Sequence, residues 1–183
     1  MNKTDEIAKT TLAMRLLTRD ARISIVHHET GLTRGYLRAL YRDLHGRSAP
    51  SGQLPAIGCA MITTRREQVL ASLFAALYEM HAGPALYRQM TIEALVRAYD
   101  AFREMAGESG TGVLDFNLCW VIARDLRVGA SRLAYCPACE VRYLVMDNSR
   151  TPPSCPLCAL YARYGIRAAA ADDGAACSHT GEC

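Results

Sequence analysis

Several features that would place this chain in a familiar chemical class are missing from it. No stretch approaches about eighteen uncharged apolar residues, so no membrane-spanning helix is expected. The opening residues, MNKTDEIAKT, hold two acids and no apolar run, so no secretory leader is expected either. The zincin string H-E-x-x-H, a phosphate-cradling Gly-rich loop and the nucleophile elbow G-x-S-x-G are all absent. His27-His28-Glu29 supplies an H-x-E string of the kind used by zinc deaminases, but Ser154 rather than Pro precedes Cys155 and a second C-x-x-C would have no role. No catalytic constellation is visible and no enzyme is expected. The chain is expected to be cytoplasmic, where thiols stay reduced and paired cysteines usually bind metal.

What is present starts with bulk and charge. At 183 residues, half of them hydrophobic, the chain can bury a sizeable core, as one domain or one plus a small appendage. Residues 1–50 carry 9 basic against 5 acidic side chains, and residues 121–167 carry 7 against 3. The stretch between them, 51–120, carries 5 against 7, and the last sixteen residues carry no base against 3 acids. Two basic blocks thus flank a mildly acidic middle, which points towards an anionic partner. Lysine is nearly absent, since 19 of the 21 basic residues are Arg. Arginine's planar fork suits phosphates and guanine edges, although a GC-rich genome gives the same bias.

The sharpest motif is CPACEVRYLVMDNSRTPPSCPLC, with the spacing Cys136-x2-Cys139-x15-Cys155-x2-Cys158. It falls within the four-cysteine zinc pattern. Each C-x-x-C lets a tight turn present two thiolates about 3.5–4 Å apart, as neighbouring vertices of a tetrahedron. Pro137 and Pro156 fix φ inside those turns. Val141 to Met146 is expected as a strand and Asp147-Asn148-Ser149 as a turn. The expected unit is a small zinc ribbon, a hairpin with a metal knuckle at its base. The ion would be one structural Zn2+, because four thiolates leave no open position for water or substrate. Disulfides, a rubredoxin-type iron site and redox-active pairs remain the alternatives. Cys59 and Cys119, in AIGCAM and FNLCWVI, are expected to be buried structural thiols. Cys177, His179 and Cys183 lie in a small-residue tail whose role the sequence leaves open.

The patterning predicts a mainly α fold. Residues 1–46 are expected as a helical segment, with Thr4 capping a first helix whose stripe is Ile7, Leu12, Leu16 and Leu17. Residues 47–63 hold Pro50, Pro55, Gly52 and Gly58 and are expected as a linker or long loop. Residues 64–130 are expected as a helical core and partner-interface region. It begins with a helix from about Thr64 to His81, with Val69, Leu70, Leu73, Phe74, Leu77 and Tyr78 on its apolar face. A helix from about Ile92 to Met105, a break at GESGTG and a helix from Asp115 to Val128 follow. Residues 131–166 form the four-cysteine unit, and 167–183 are expected as a disordered tail.

Within the first block, ISIVHHETGLTRGYLRALYRDLHG has the layout of a DNA-reading helix pair. A short helix closes on Gly31, Leu32 plugs the angle, and Thr33 caps the second helix. Leu37, Leu40, Tyr41 and Leu44 are spaced to face inward, and Arg34, Arg38 and Arg42 to face outward as one row. Such a row can pair with phosphates and reach guanine edges. It equally fits a solvated basic face on an ordinary amphipathic helix, and the pattern alone does not separate the two. The candidate DNA contacts are Thr33, Arg34, Arg38 and Arg42, with Arg142 and Arg150 from the basic four-cysteine segment.

The segment ETGLTRGYLRALYRDLHGRSAPSGQLP, preceded by LAMRLLTRDARISIV, resembles the flagellar transcriptional activator family FlhC. So does the cysteine spacing 136, 139, 155 and 158, and the resemblance runs from about residue 10 to about residue 165. Where the best-known members continue with aromatics after Gly52-Gln-Leu-Pro55, this chain has AIGCAMITTRREQ. The resemblance implies a helical N-terminal body, here with a helix-turn-helix-like segment, and a small C-terminal zinc-ribbon-like unit. It places the zinc ligands on Cys136, Cys139, Cys155 and Cys158. It also implies a complex of two FlhC and four FlhD subunits that binds double-stranded DNA at flagellar promoters and helps RNA polymerase start transcription. Much of the sequence recognition would lie with the FlhC subunit. The alternative from a different class is a zinc-stabilised adaptor that holds partner proteins while another subunit reads DNA.

Overall fold

Residues 3–54, 56, 58–147 and 149–163 are described by the structure, a computed structural model. The side chain of Cys59, the turn residue Asn148, Arg167, the expected tail and its Cys177, His179 and Cys183 lie outside them. Among the described residues the fold is mainly helical with one small hairpin, as the sequence predicts.

Helix α1 (Lys3–Leu17) buries Ala13, Leu16 and Leu17 at its C-terminal end. The expected stripe fails at the other end: Ile7 is 61% exposed, and Thr4 lies inside the helix rather than capping it. Among the described residues of α1, burial is confined to Ala13, Leu16 and Leu17, and the early apolar position stays at the surface. Helices α2 (Ile23–Thr30) and α3 (Arg34–His45) follow the predicted punctuation. Gly31 adopts φ 70°, in the left-handed region, and returns its N–H to the His27 carbonyl. Thr33 accepts from the Tyr36 amide and Gly46, at φ 65°, ends α3. Leu37 and Tyr41 are fully buried, but Leu44 is 37% exposed instead of facing inward. At that turn the bond to α1 comes from His45, which donates to the Leu17 carbonyl at 2.8 Å and stacks on Tyr41.

The segment expected as a linker is fastened to the body. It carries a 3-10 turn at Gly58–Ala60, whose Gly58 amide donates to the buried Asp125 carboxylate at 2.7 Å. Ile62 is fully buried. Helix α4 (Arg65–Ala82) is long and apolar enough to cross a bilayer by length and composition. It is instead a central helix of the fold, packed against α5 (Ile92–Thr111), α6 (Phe116–Arg127), the strand β2 (Arg142–Met146) and α7 (Pro156–Arg163) among others. Of its expected apolar face, Phe74 and Tyr78 are fully buried while Val69, Leu70, Leu73 and Leu77 are half-buried. Gln68 and Ser72, both polar, are buried in their place.

The core lies where α4, α5 and α6 meet. Phe74 meets Phe102 edge-on at 6.3 Å, and Tyr99 meets Phe116 edge-on at 5.2 Å, geometries that aromatic quadrupoles favour. Gly107, at φ 61°, breaks α5 as predicted, but residues 108–111 turn helical again. Asp115 caps α6 by accepting from Leu118 at 2.8 Å. The α1–α3 unit rests on this core through α6. Asn117 accepts from the Arg22 amide and donates to the Asp20 carbonyl, and Trp120 Nε1 donates to Glu29 at 3.2 Å. Strand β1 (Ser131–Tyr135) pairs antiparallel with β2, with Ser131 opposite Met146 and Tyr135 opposite Arg142.

The start of α4 is pH-sensitive. Thr64 and Glu67 form a reciprocal capping box. Burial pushes the Glu67 carboxyl up, but hydrogen bonds from Thr63 and Thr64 outweigh it and leave its pKa below the ordinary value of 4.5. A depressed carboxyl contributes stability above its unfolded pKa and loses it as the pH falls through the folded one. Thermal unfolding of Glu67→Gln should therefore show a lower Tm than wild type at neutral pH. The gap should close as the pH falls below the carboxylate range. A gap of the same size at every pH would mean that the charge has no part in the cap.

Candidate metal centre and basic helix

The first cysteine pair sits between the two strands. Cys136-Pro-Ala-Cys139 makes the connection from β1 to β2, closed by Cys136 N–H to Val141 carbonyl at 3.0 Å and Glu140 N–H to Cys136 carbonyl at 2.8 Å. The knuckle is thus the hairpin's turn rather than its base, which corrects the sequence expectation. The reason is that β1 precedes the first cysteine, where the sequence pattern predicts no strand. Glu140 turns the chain through the left-handed region at φ 57°, an uncommon conformation for a side chain other than Gly, Asn or Asp. The second pair opens a helix. Pro156 is the first residue of α7, where its missing N–H costs nothing, and Ala159 N–H returns to the Cys155 carbonyl.

These two turns bring all four sulfurs within 4.8 Å of one another. Cys136 Sγ lies 3.7 Å from Cys158 Sγ, and Cys139 Sγ 3.6 Å from Cys155 Sγ. A tetrahedron with metal–sulfur bonds of about 2.3 Å has edges of about 3.8 Å, so the quartet has the size of a four-thiolate shell. A disulfide needs sulfurs about 2.05 Å apart, and neither close pair is near that. The sulfurs are electrostatically unlike. Amide N–H groups of Cys139 and Ala138 point at Cys136 and bring its thiol down to about 7. Hydrogen bonding with the Cys139 thiol, and then burial, push Cys158 up to about 12. One thiolate forms readily, but four such sulfurs in contact cannot all ionise without a cation among them. The four cysteines could hold a metal ion.

The unit is anchored on α4 by residues that sequence reasoning does not single out. Leu144 N–H donates to the buried Ser72 hydroxyl at 3.0 Å, and Ser72 donates to the Gln68 carbonyl. Arg65 bonds the carbonyls of Pro152 and Ser154 and the Ser154 hydroxyl, so the chain entering the second pair is pinned to the start of α4. The only available signal is a pair of polar residues, Gln68 and Ser72, four apart in an apolar helix.

Arg34, Arg38 and Arg42 are exposed along α3, and their guanidinium groups have no hydrogen bond or ion pair among the described residues. Other arginines are engaged: Arg19 with Asp100, Arg47 with Asp20 and Arg132 with Asp147. Arg142, expected as a DNA contact, forms an ion pair with Glu79 on α4 and so helps dock the hairpin. Arg150 is exposed. Arg22, which the sequence does not suggest, lines a cleft with the three α3 arginines. Leu32 packs between α2 and α3 as predicted, half-buried against the core. His27 donates to the Leu32 carbonyl at 2.7 Å and His28 meets Glu29, so both are occupied at the end of α2. Cys119 is wholly buried, as expected, and burial pushes its thiol well up.

Comparison with known proteins places this arrangement. The family model described as "Flagellar transcriptional activator (FlhC)" matches residues 2–171. A flagellar transcriptional regulator FlhC from Burkholderia lata is 30% identical over 178 residues, covering 91% of this chain and 77% of that protein. The protein of the same name from Cupriavidus necator is 30% identical, covering 87% of this chain and 78% of its own length. The one from Proteus mirabilis is 29% identical, covering 81% and 76%. With the helix pair, the cysteine quartet and nearly the whole length matched, the chain belongs to the FlhC family of flagellar transcriptional activators.

Proposed function

We propose that this chain is a cytoplasmic DNA-binding activator of flagellar genes. It would act at flagellar promoters with FlhD, two chains of this kind to four FlhD, and assist RNA polymerase. The observation that carries the reading is the row Arg34, Arg38 and Arg42. It is exposed and unpaired among the described residues, on the second helix of a Gly31-Leu32-Thr33 turn. Arginines left without carboxylates on the protein are suited to phosphates. Phosphate contacts would give affinity and a steep salt dependence, and a few base-edge contacts would give specificity. Arg150 would add to this field, and Arg142 would support it from its ion pair with Glu79.

The metal in this reading is one structural zinc on Cys136, Cys139, Cys155 and Cys158. Four thiolates suit zinc and close its tetrahedral shell. Bound there, the ion would cross-link the hairpin turn to the first turn of α7. X-ray absorption on freshly isolated protein is expected to show four sulfur neighbours at about 2.3 Å. Structural zinc contributes on the order of 10 kcal/mol in small zinc folds, so Cys139→Ser should leave residues 131–163 open to protease. The α1–α6 body should stay protected, because it has its own core. Full protection across 131–163 in that variant would exclude a structural role for the metal.

DNA contact is tested by fluorescence anisotropy on a promoter fragment. Arg38→Ala should weaken binding and make the salt slope shallower by about 0.9 for each phosphate that is no longer neutralised. Unchanged binding by a folded Arg38→Ala variant would favour the adaptor reading, in which another subunit touches the DNA.

A further inference from the structure

The three α3 arginines do not stand on an open helix face. With Arg22 they form one wall of a cleft of about 400 Å3, and the segment 48–52, with Ser48 and Ser51, forms the other. Among the described residues, no carboxylate lines the cleft. The far wall is a fixed strap. Ala49 and Leu54 pack against the core on either side of it, and Pro50 restricts the backbone between them. Arg22 Nη1 reaches the carbonyls of Ser51 and Gln53, each at 3.3 Å, and ties the strap to the start of α2. Gly52 passes this guanidinium at φ 108°, and a Cβ there would lie 3.2 Å from Nη1. The backbone angle favours glycine, and a Cβ there would push the Arg22 guanidinium aside by a few tenths of an ångström.

We propose that this cleft grips the phosphodiester backbone of one DNA strand, with Arg22 and Gly52 as positioning residues that set its width. The proposal rests on the DNA-binding reading above and deepens it, because it makes the α3 row a phosphate anchor rather than a base reader. Four guanidinium groups with no facing acid repel one another, and an anion seated among them relieves that repulsion. Residues four apart along a helix place Arg34 and Arg42 about 12 Å from each other, too far to share one phosphate but suited to a run of them. Ser48 and Ser51 supply the hydroxyl donors that proteins commonly turn to phosphate oxygens from a second side. A row walled in this way fixes the register of the duplex and carries no sequence preference of its own.

The test uses the full chain, metal-loaded and assembled with its partner subunit, with labelled promoter and scrambled duplexes. Gly52→Ala keeps every guanidinium and the net charge but displaces the strap from Arg22. It should weaken binding roughly tenfold on both duplexes alike and reduce the salt slope by about 0.9 per phosphate no longer neutralised. The Ser48→Ala/Ser51→Ala double variant leaves the backbone path alone and should weaken binding less, in the same direction, so the proposal stays testable if Gly52→Ala misfolds. Single methylphosphonate substitutions should reveal a block of consecutive sensitive phosphates on one strand, weakened in the double variant. Wild type that ignores duplex DNA would sink the DNA-binding reading itself. Wild type that binds while both variants match it would overturn this proposal alone. A weakening in Arg38→Ala confined to the promoter sequence would also overturn it, because the row would then read bases. So would saturation of the cleft by inorganic phosphate or AMP at micromolar concentration.

Discussion

The part of the fold that follows α3 leans on α4, and α4 has two surfaces that must both be satisfied. One is apolar, with Phe74, Ala75 and Tyr78 closed against the other helices. The other is polar, with Gln68 and Ser72 buried. A buried hydroxyl is costly unless bonded, and Ser72 is bonded twice, donating to the Gln68 carbonyl and accepting from the Leu144 amide of β2. With the Arg142–Glu79 ion pair and the buried Leu144 and Met146, that bond holds β2 on the body. Arg65 at the start of the same helix holds the chain entering the second cysteine pair. The geometry of the quartet is therefore set from outside as well as by its own turns.

The charges of the chain obey a complementary rule. Around the body, arginines are neutralised locally: Arg19 by Asp100, Arg47 by Asp20 and Arg142 by Glu79. Along α3 the row lies beside Arg22 instead of beside acids. A folded protein gains no stability from gathering like charges, so the α3 row differs in kind from the paired arginines of the body. The same comparison explains why the two basic blocks differ. In the C-terminal block, Arg132 and Arg142 are tied to Asp147 and Glu79, so that part of the surplus is structural.

Much of this was legible in the sequence because it depends on local chemistry. Gly31, Thr33 and Gly46 act on their own backbone neighbours, so the boundaries of α2 and α3 could be read directly. The C-x-x-C spacing likewise fixes a turn irrespective of what surrounds it. What could not be read depends on residues distant in the chain. The hairpin strand β1 has no strong alternation and exists because β2 pairs with it. Helix α7 begins at Pro156, inside a C-x-x-C step whose spacing suggested only a tight turn. The 47–63 segment has the composition of a loop, yet a buried Asp125 on α6, 67 residues from Gly58, fastens Gly58 to the body. Arg22 carries no local signal at all, since its role appears only when the strap is folded beside it.

The two functional regions are held by different parts of the body. The cysteine unit rests on α4 through Ser72, Glu79 and Arg65, whereas the helix pair rests on α6 through Asn117 and Trp120. Between them lies the aromatic packing of α4, α5 and α6. A change at the quartet can reach the arginine row only by moving that core, and close-packed cores resist small displacements. The quartet thus belongs to the C-terminal unit alone, while the shape of the α3 cleft is set by Asn117, Arg22 and the strap. Separate supports of this kind leave the arginine-lined cleft and the four-cysteine unit as two independent surfaces of one chain.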